Sequence, residues 1–216
     1  MKEIIWVFGE SGTGKLTLIN RLYNKDEKTL ATFNMKDKKI CTSDITLEDR
    51  NTDYNNVEDK NTYNDSYIEP DNKYFHKERM LVRRKGIMYD TENFINSDND
   101  VLLIKGQTND MNAKRGNIIG NFLKKYGFRD DVKVKVYVLQ VSDPVKHIER
   151  LKNKSWFQKI DNQDVRNTLV KVITQRQGAH YEEVEKAFKN ADVTIYKVES
   201  GDDSYTLRDV LKPIIR

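Results

Sequence analysis

The sequence predicts an α/β fold with a mostly parallel sheet and helices on both faces, and three of its features carry that expectation. The apolar run Ile4-Ile5-Trp6-Val7-Phe8 leads without a break into Gly9-Glu10-Ser11-Gly12-Thr13-Gly14-Lys15. Thr17-Leu18-Ile19-Asn20-Arg21-Leu22 comes next, with Leu18, Ile19 and Leu22 at helical spacing. A second run, Val101-Leu102-Leu103-Ile104, is apolar throughout between polar flanks, as a strand buried on both faces must be. Strand-like and helix-like segments then alternate along the chain, the pattern of crossovers between parallel strands.

Strand, glycine-rich turn and helix in that order make a phosphate-binding loop, or P-loop. Small residues let successive backbone N–H groups fold around phosphate oxygens at a helix N-terminus, and the lysine adds a mobile charge. Gly9, Glu10, Ser11, Gly12, Thr13, Gly14, Lys15, Leu16 and Thr17 are the candidate nucleotide-binding residues. The position after the lysine, ordinarily a Ser or Thr that holds magnesium, is Leu16. The hydroxyl arrives one residue later, at Thr17, which is the candidate metal ligand.

Past the first helix, Thr29–Met35 and Lys39–Thr42 are expected as short strands. Residues 44–72 are crowded with Asp, Asn and Tyr and poor in aliphatic side chains, and are expected as a surface excursion near the substrate side. Tyr74–Tyr89 returns to helical spacing. After the Val101–Ile104 strand, a helix is expected through Ile118, Ile119, Phe122 and Leu123, with Gly127 as its C-cap. Val132–Val141 is the next strand, and Ser142-Asp143-Pro144 starts a helix with a cap and an early proline that reaches Trp156-Phe157. Two helices, Asp164–Gln177 and Ala179–Lys189, are expected to be separated by Gly178. A strand at Val193–Val198 and a closing helix at Tyr205–Ile215 complete the reading.

A chain of 216 residues suits a single domain, 1–216, with a lid region at about 145–180. Hydrophobic residues at 37% and charged residues at 33% suit a soluble protein with a modest core, and no stretch approaches the roughly 20 apolar residues of a membrane span. The chain enters a strand at once, which argues against a secretory leader, and its single Cys41 cannot form an internal disulfide. Both favour the cytoplasm. A net charge of +4 permits contact with nucleic acid without demanding it.

Among P-loop proteins, a GTPase would carry Asn-Lys-x-Asp after a late strand, and a motor would end an apolar strand on aspartate, where this chain has Lys105. The segment Val136–Pro144, followed by His147, Glu149, Arg150, Lys152 and Lys154, instead resembles the lid entry of nucleotide, nucleoside and polynucleotide kinases. That resemblance implies a P-loop NTPase fold with a helical lid, ATP and Mg2+ as cofactors, and Arg150 reaching over the triphosphate. Cations on a closing helix suit phosphoryl transfer, which is mostly positioning and charge neutralisation.

A narrower resemblance rests on Ile5–Thr17 together with Leu103-Ile104-Lys105-Gly106-Gln107-Thr108-Asn109-Asp110. These blocks look like the phage 5-hydroxymethyluracil DNA kinases. The resemblance implies phosphorylation of the 5-hydroxymethyl group of a modified pyrimidine in DNA, in the cytoplasm of an infected bacterial host. Lys15 is then the catalytic lysine. Asp44, after the Lys39–Thr42 segment, and Asp110 are the two candidates for the carboxylate that takes the acceptor's proton. Lys105 and Gln107, at a strand end, are expected to contact substrate. Arg83 and Arg84, with Lys77, Arg79, Lys85, Tyr74, Phe75 and Tyr89, form the densest basic-aromatic stretch and are expected to meet DNA. A nucleoside or nucleoside monophosphate kinase, and a non-catalytic nucleotide- or DNA-binding module, are the alternatives. No feature fixes the oligomeric state.

Overall fold

The computed structural model describes residues 1–43 and 73–211, without the side chains of 73–79, 115 and 209–211. The expected excursion at 44–72, and Asp44 with it, lies outside the described residues.

Six strands form one sheet: β1 (Lys2–Gly9), β2 (Ile40–Thr42), β3 (Val101–Lys105), β4 (Val132–Gln140), β5 (Val193–Ser200) and β6 (Tyr205–Leu211). Their order is β2-β3-β1-β4-β5-β6. The first five run parallel, and β6 pairs antiparallel with β5 at one edge. The helices are α1 (Lys15–Tyr23), α2 (Glu27–Thr32), α3 (Lys73–Ile95), α4 (Ile118–Tyr126), α5 (Pro144–Lys152), α6 (Ser155–Gln158) and α7 (Gln163–Phe188).

β1 lies between β3 and β4, and its alternate side chains enter a core cluster on each face of the sheet, which is why its sequence reads as a continuous apolar run. Ile4, Trp6 and Phe8 face one cluster with Phe122 and Tyr126 of α4 and Val184 and Phe188 of α7. Trp6 meets Phe122 edge-on at 5.2 Å. Ile5 and Val7 face the other cluster, with Leu18, Ile19 and Leu22 of α1. Each such side chain, fully buried, contributes about 1.5–3 kcal/mol. The two clusters grip the strand that delivers the glycine-rich loop. Because β1, β3, β4 and β5 all point the same way, their carboxyl ends gather along one edge of the sheet, where ligands of open α/β sheets bind.

Three expected elements differ. Thr29–Met35 is not a strand: α2 occupies Glu27–Thr32, because Asp26 caps it, accepting from the Thr29 amide at 2.8 Å and the Thr29 hydroxyl at 2.5 Å. Gly178 does not divide two helices but sits inside the 26-residue α7. Tyr205–Leu211 is a strand, not a closing helix, its Tyr205 and Leu207 turned to the core while Thr206 and Arg208 are exposed. Gly127 does cap α4, though at φ −70° rather than in the left-handed form. α5 stops at Lys152, and Trp156-Phe157 belong to the short α6. Among the described residues no helix is long and apolar enough to cross a membrane.

Candidate active site

The loop between β1 and α1 takes its shape from its glycines, with φ of 145° at Gly9, 82° at Gly12 and 90° at Gly14. At Gly9 the requirement is also steric, since a Cβ would lie 2.5 Å from Thr13 Oγ1 and 2.7 Å from the Leu139 carbonyl oxygen. Gly14 is the N-cap of α1 and no side chain caps that end. A glycine cap offers the first turn no side-chain acceptor of its own, which is how a helix end meets an anion. The Lys15 ammonium donates to the carbonyls of Gly9 (2.6 Å) and Glu10 (3.1 Å), so it lies across its own loop.

Two contacts without a counterpart in the sequence motifs clamp this loop. The Glu10 carboxylate is buried and turns inward to α7, with Oε1 at 3.3 Å from His180 Nδ1 and 3.7 Å from Arg176 Nε. Burial pushes the Glu10 pKa up, but His180, Arg176 and Lys15 outweigh it and hold the carboxyl below its ordinary value. On the other side, Nε2 of buried His147 on α5 lies 2.7 Å from the Ser11 carbonyl and donates to it. Burial holds the His147 pKa below its ordinary value, so the ring that donates is the neutral Nε2–H form. His180 has no sequence signal of its own, since it meets Glu10 only through the tertiary fold.

A cavity of about 310 Å³ opens beside the loop. Gly12, Gly14 and Thr17 form one wall, Arg150, Asn153 and Lys154 a second, and the β5–β6 turn with Tyr205 a third. Arg150 is fixed by that turn: its guanidinium donates to Ser200 Oγ (3.2 Å), the Gly201 carbonyl (2.7 Å) and Asp202 Oδ1 (3.2 Å). Lys146 also binds Asp202, at 2.7 Å, and the two cations hold that carboxyl well into its ionised range. Lys154 is exposed, yet partial burial and the charges of Lys105 and Arg150 hold its ammonium pKa below the usual lysine value. The loop, Thr17 and Arg150 thus share one cavity.

The other predicted residues gather at the end of β3. Gly106 donates its N–H to the Val7 carbonyl at 2.9 Å and has no room for a Cβ, which would sit 2.5 Å from the Phe8 ring. Lys105 is buried, on the same sheet face as Leu103, the face that α1 covers. Asp110 is fully buried. Its two oxygens accept from Arg83 Nε and Nη2, both at 2.7 Å, and Oδ2 also accepts the Gln107 N–H at 2.8 Å. Arg83 further donates to the Lys105 carbonyl at 2.5 Å.

This geometry gives Asp110 and Arg83 an occupation different from the expected ones. A carboxylate with no exposure and a bidentate guanidinium on it organises the Lys105–Gln107 turn; it is not open to an acceptor hydroxyl, and Arg83 is not open to DNA. Arg84 is half-buried and reaches the Gly116 carbonyl at 3.4 Å. Lys85 and Tyr89 lie exposed on α3, while the side chains of Tyr74, Phe75, Lys77 and Arg79 fall outside the described ones.

The loop fits a nucleotide's phosphates: a glycine cradle with Lys15 lying across it, a helix end whose cap residue is a glycine, and Arg150 on the adjoining cavity. Among the described residues, no set of side chains suited to hold a metal ion stands beside the loop. The helix position that would supply a hydroxyl is Leu16; Thr17, one position on and about 100° further around the axis, lines the cavity beside Gly12 and Gly14. The nearby carboxylates Glu10 and Asp110 are committed to His180 and Arg83, and no cluster of three or more metal-binding side chains occurs among the described residues.

A strand-loop-helix of this geometry on a parallel sheet defines a P-loop α/β protein. No protein-family model matches the sequence, and no curated protein matches it. Among solved structures, the chain is similar to shikimate kinase from Acinetobacter baumannii in complex with shikimate, at 12% identity over 94% of this chain and 85% of that one, with a TM-score of 0.46. Shikimate kinase from Aquifex aeolicus is similar at 14% identity over 92% and 87%, with a TM-score of 0.35. The YGR205w protein is similar at 11% over 100% and 91%, with a TM-score of 0.40. At such identities and scores the likeness carries no residue role to this chain.

Proposed function

We propose that this chain is an ATP-dependent phosphotransferase acting on a hydroxyl, and that the hydroxyl is carried by nucleic acid, with the 5-hydroxymethyl group of a modified pyrimidine in phage DNA as first choice. The observation that carries the phosphoryl-transfer reading is the meeting, in one cavity, of the glycine cradle that Lys15 lies across with Arg150 from α5. Lys15 is suited to bridge the β- and γ-phosphates, and Arg150 to neutralise charge that develops on the transferred group. Magnesium, when it enters with the nucleotide, supplies further charge neutralisation. The nucleic-acid acceptor is supported by the resemblance of the Ile5–Thr17 and Leu103–Asp110 blocks and by the exposed Lys85 and Tyr89 on α3. Proton abstraction is assigned to Asp44. The lid we propose at about 145–180 would draw on α5, α6 and the first part of α7.

Labelled ATP offered with 5-hydroxymethyluracil DNA, unmodified DNA and free nucleosides or nucleotides, each separately, tests the proposal. Label in the modified DNA alone is expected. Label in free nucleosides or nucleotides overturns the acceptor, and transfer that survives Lys15→Ala overturns the site.

A further inference from the structure

The cavity beside the loop suits an anion, yet one of its walls carries a carboxylate. Among the described residues that line it, Arg150 and Lys154 are cationic and Asp202 alone is acidic. Lys146 and Arg150 stand four residues apart on α5 and share a face of that helix. Both reach across to Asp202: Lys146 Nζ lies 2.7 Å from Oδ2, and Arg150 Nη2 lies 3.2 Å from Oδ1. The Asp202 side chain is 62% exposed, so water screens each pair and neither is held firmly. Arg150 has other support. Its Nη2 donates to the Gly201 carbonyl at 2.7 Å and its Nη1 to Ser200 Oγ at 3.2 Å, two neutral acceptors at the same turn. Asp202 therefore adds little to the placement of Arg150, while it puts a negative charge on the cavity that would hold a polyphosphate.

We infer that Asp202 is an internal competitor of the nucleotide's phosphates: by partly neutralising Lys146 and Arg150, it sets the affinity for phosphorylated ligands below what the cavity would otherwise reach. The inference rests on the nucleotide-binding reading above and deepens it. The two cations keep the Asp202 carboxyl ionised, so the competitor carries its full charge at neutral pH. A polyphosphate carries more charge than one carboxylate and draws the cations away from it, and water then solvates the exposed Asp202. Weaker retention lets a spent nucleotide leave, and release is a step that can limit turnover.

The test is calorimetric titration of the full chain with ADP. Asp202→Asn keeps the side chain's shape and removes its charge, and is expected to tighten ADP binding by about three- to tenfold at low salt. The gain should largely vanish at about 0.5 M salt, where exposed charges are screened. Asp202→Ser makes the same change of charge with a smaller side chain and should tighten binding in the same direction. Asp203→Asn is the control: Asp203 sits on the same turn but pairs with Arg21 at 3.4 Å and does not line the cavity, so ADP binding should change by less than about twofold. Thermal unfolding of each variant separates a folding defect from a binding one. If both folded Asp202 variants bind ADP no more tightly than the parent, or if Asp203→Asn tightens binding equally, the inference is overturned and the nucleotide site stands. Absence of ADP binding by the unsubstituted chain overturns the site, and the inference with it.

Discussion

The Arg83–Asp110 pair is the interaction whose removal has the largest calculable consequence. Its side chains are 6% and 0% exposed, and three hydrogen bonds end on the Asp110 carboxylate. Asp110→Ala leaves the Arg83 guanidinium buried without its counter-charge, which costs about 3–5 kcal/mol. At roughly 2–4 °C per kcal/mol for a chain of this length, the midpoint of thermal unfolding should fall by about 6–20 °C. Arg83→Met strands the carboxylate and should cost a similar amount. The double variant Arg83→Met with Asp110→Leu removes both charges and keeps the volume. It leaves two neutral groups to find new partners, the Gln107 N–H and the Lys105 carbonyl, at about 1–3 kcal/mol each, whereas each single variant also strands a buried charge. The double variant should therefore be more stable than either single one, and denaturant unfolding of all four proteins closes the cycle. Additive losses, or single losses below about 1 kcal/mol, would refute the view that this pair holds the β3 end together.

Gly178 lies within α7, and a Cβ there would meet nothing within 4 Å, so Gly178→Ala should stabilise the protein by about 1 kcal/mol in urea unfolding. Gly106→Ala should do the opposite, because its Cβ would enter the Phe8 ring at 2.5 Å; a loss of about 1–3 kcal/mol, read by thermal unfolding with weaker nucleotide binding, is expected. The pKa of Glu10 is lower in the folded protein than its ordinary 4.5. Its contribution to stability is thus fully present above pH 4.5 and is lost as pH falls through the lower folded value. Unfolding measured along a pH series should show Glu10→Gln to be less stable than the parent at neutral pH, with the gap closing below 4.5; a gap independent of pH would contradict the assignment.

The parts of the molecule legible from sequence are those in which one local pattern decides the outcome. β1, β3 and the P-loop are read correctly because strands covered on both faces must be apolar throughout, and because only a glycine-rich turn joins such a strand to a helix in this way. The edge strand β6 is harder. Its alternation of Tyr205 and Leu207 with Thr206 and Arg208 is a strand pattern, yet it covers few residues, and only pairing with β5 gives it a partner. At Thr29–Met35 the apolar residues have no clear period, and the deciding group is a single cap, Asp26, outside the segment. Gly178 misleads for a related reason. A glycine costs a helix about 1 kcal/mol, too little to break one that buries Ile173, His180, Tyr181 and Val184.

The site divides along the same line. Its phosphate cradle is a contiguous motif and can be read directly, whereas the residues that hold the cradle in place come from elements far apart in sequence. Glu10 is joined to His180 and Arg176, Ser11 to His147, and Lys105 to Arg83 through contacts that exist only once the sheet has formed. Asp110 illustrates the cost of reading a residue type without its partner: an aspartate after a central strand suits proton abstraction until a buried guanidinium closes on both its oxygens. Lys105 shows the same limit from the other side: as a sequence letter it is merely the wrong residue for a metal-holding strand end, but in the fold its carbonyl is the third acceptor of Arg83 and ties the end of β3 to the buried pair.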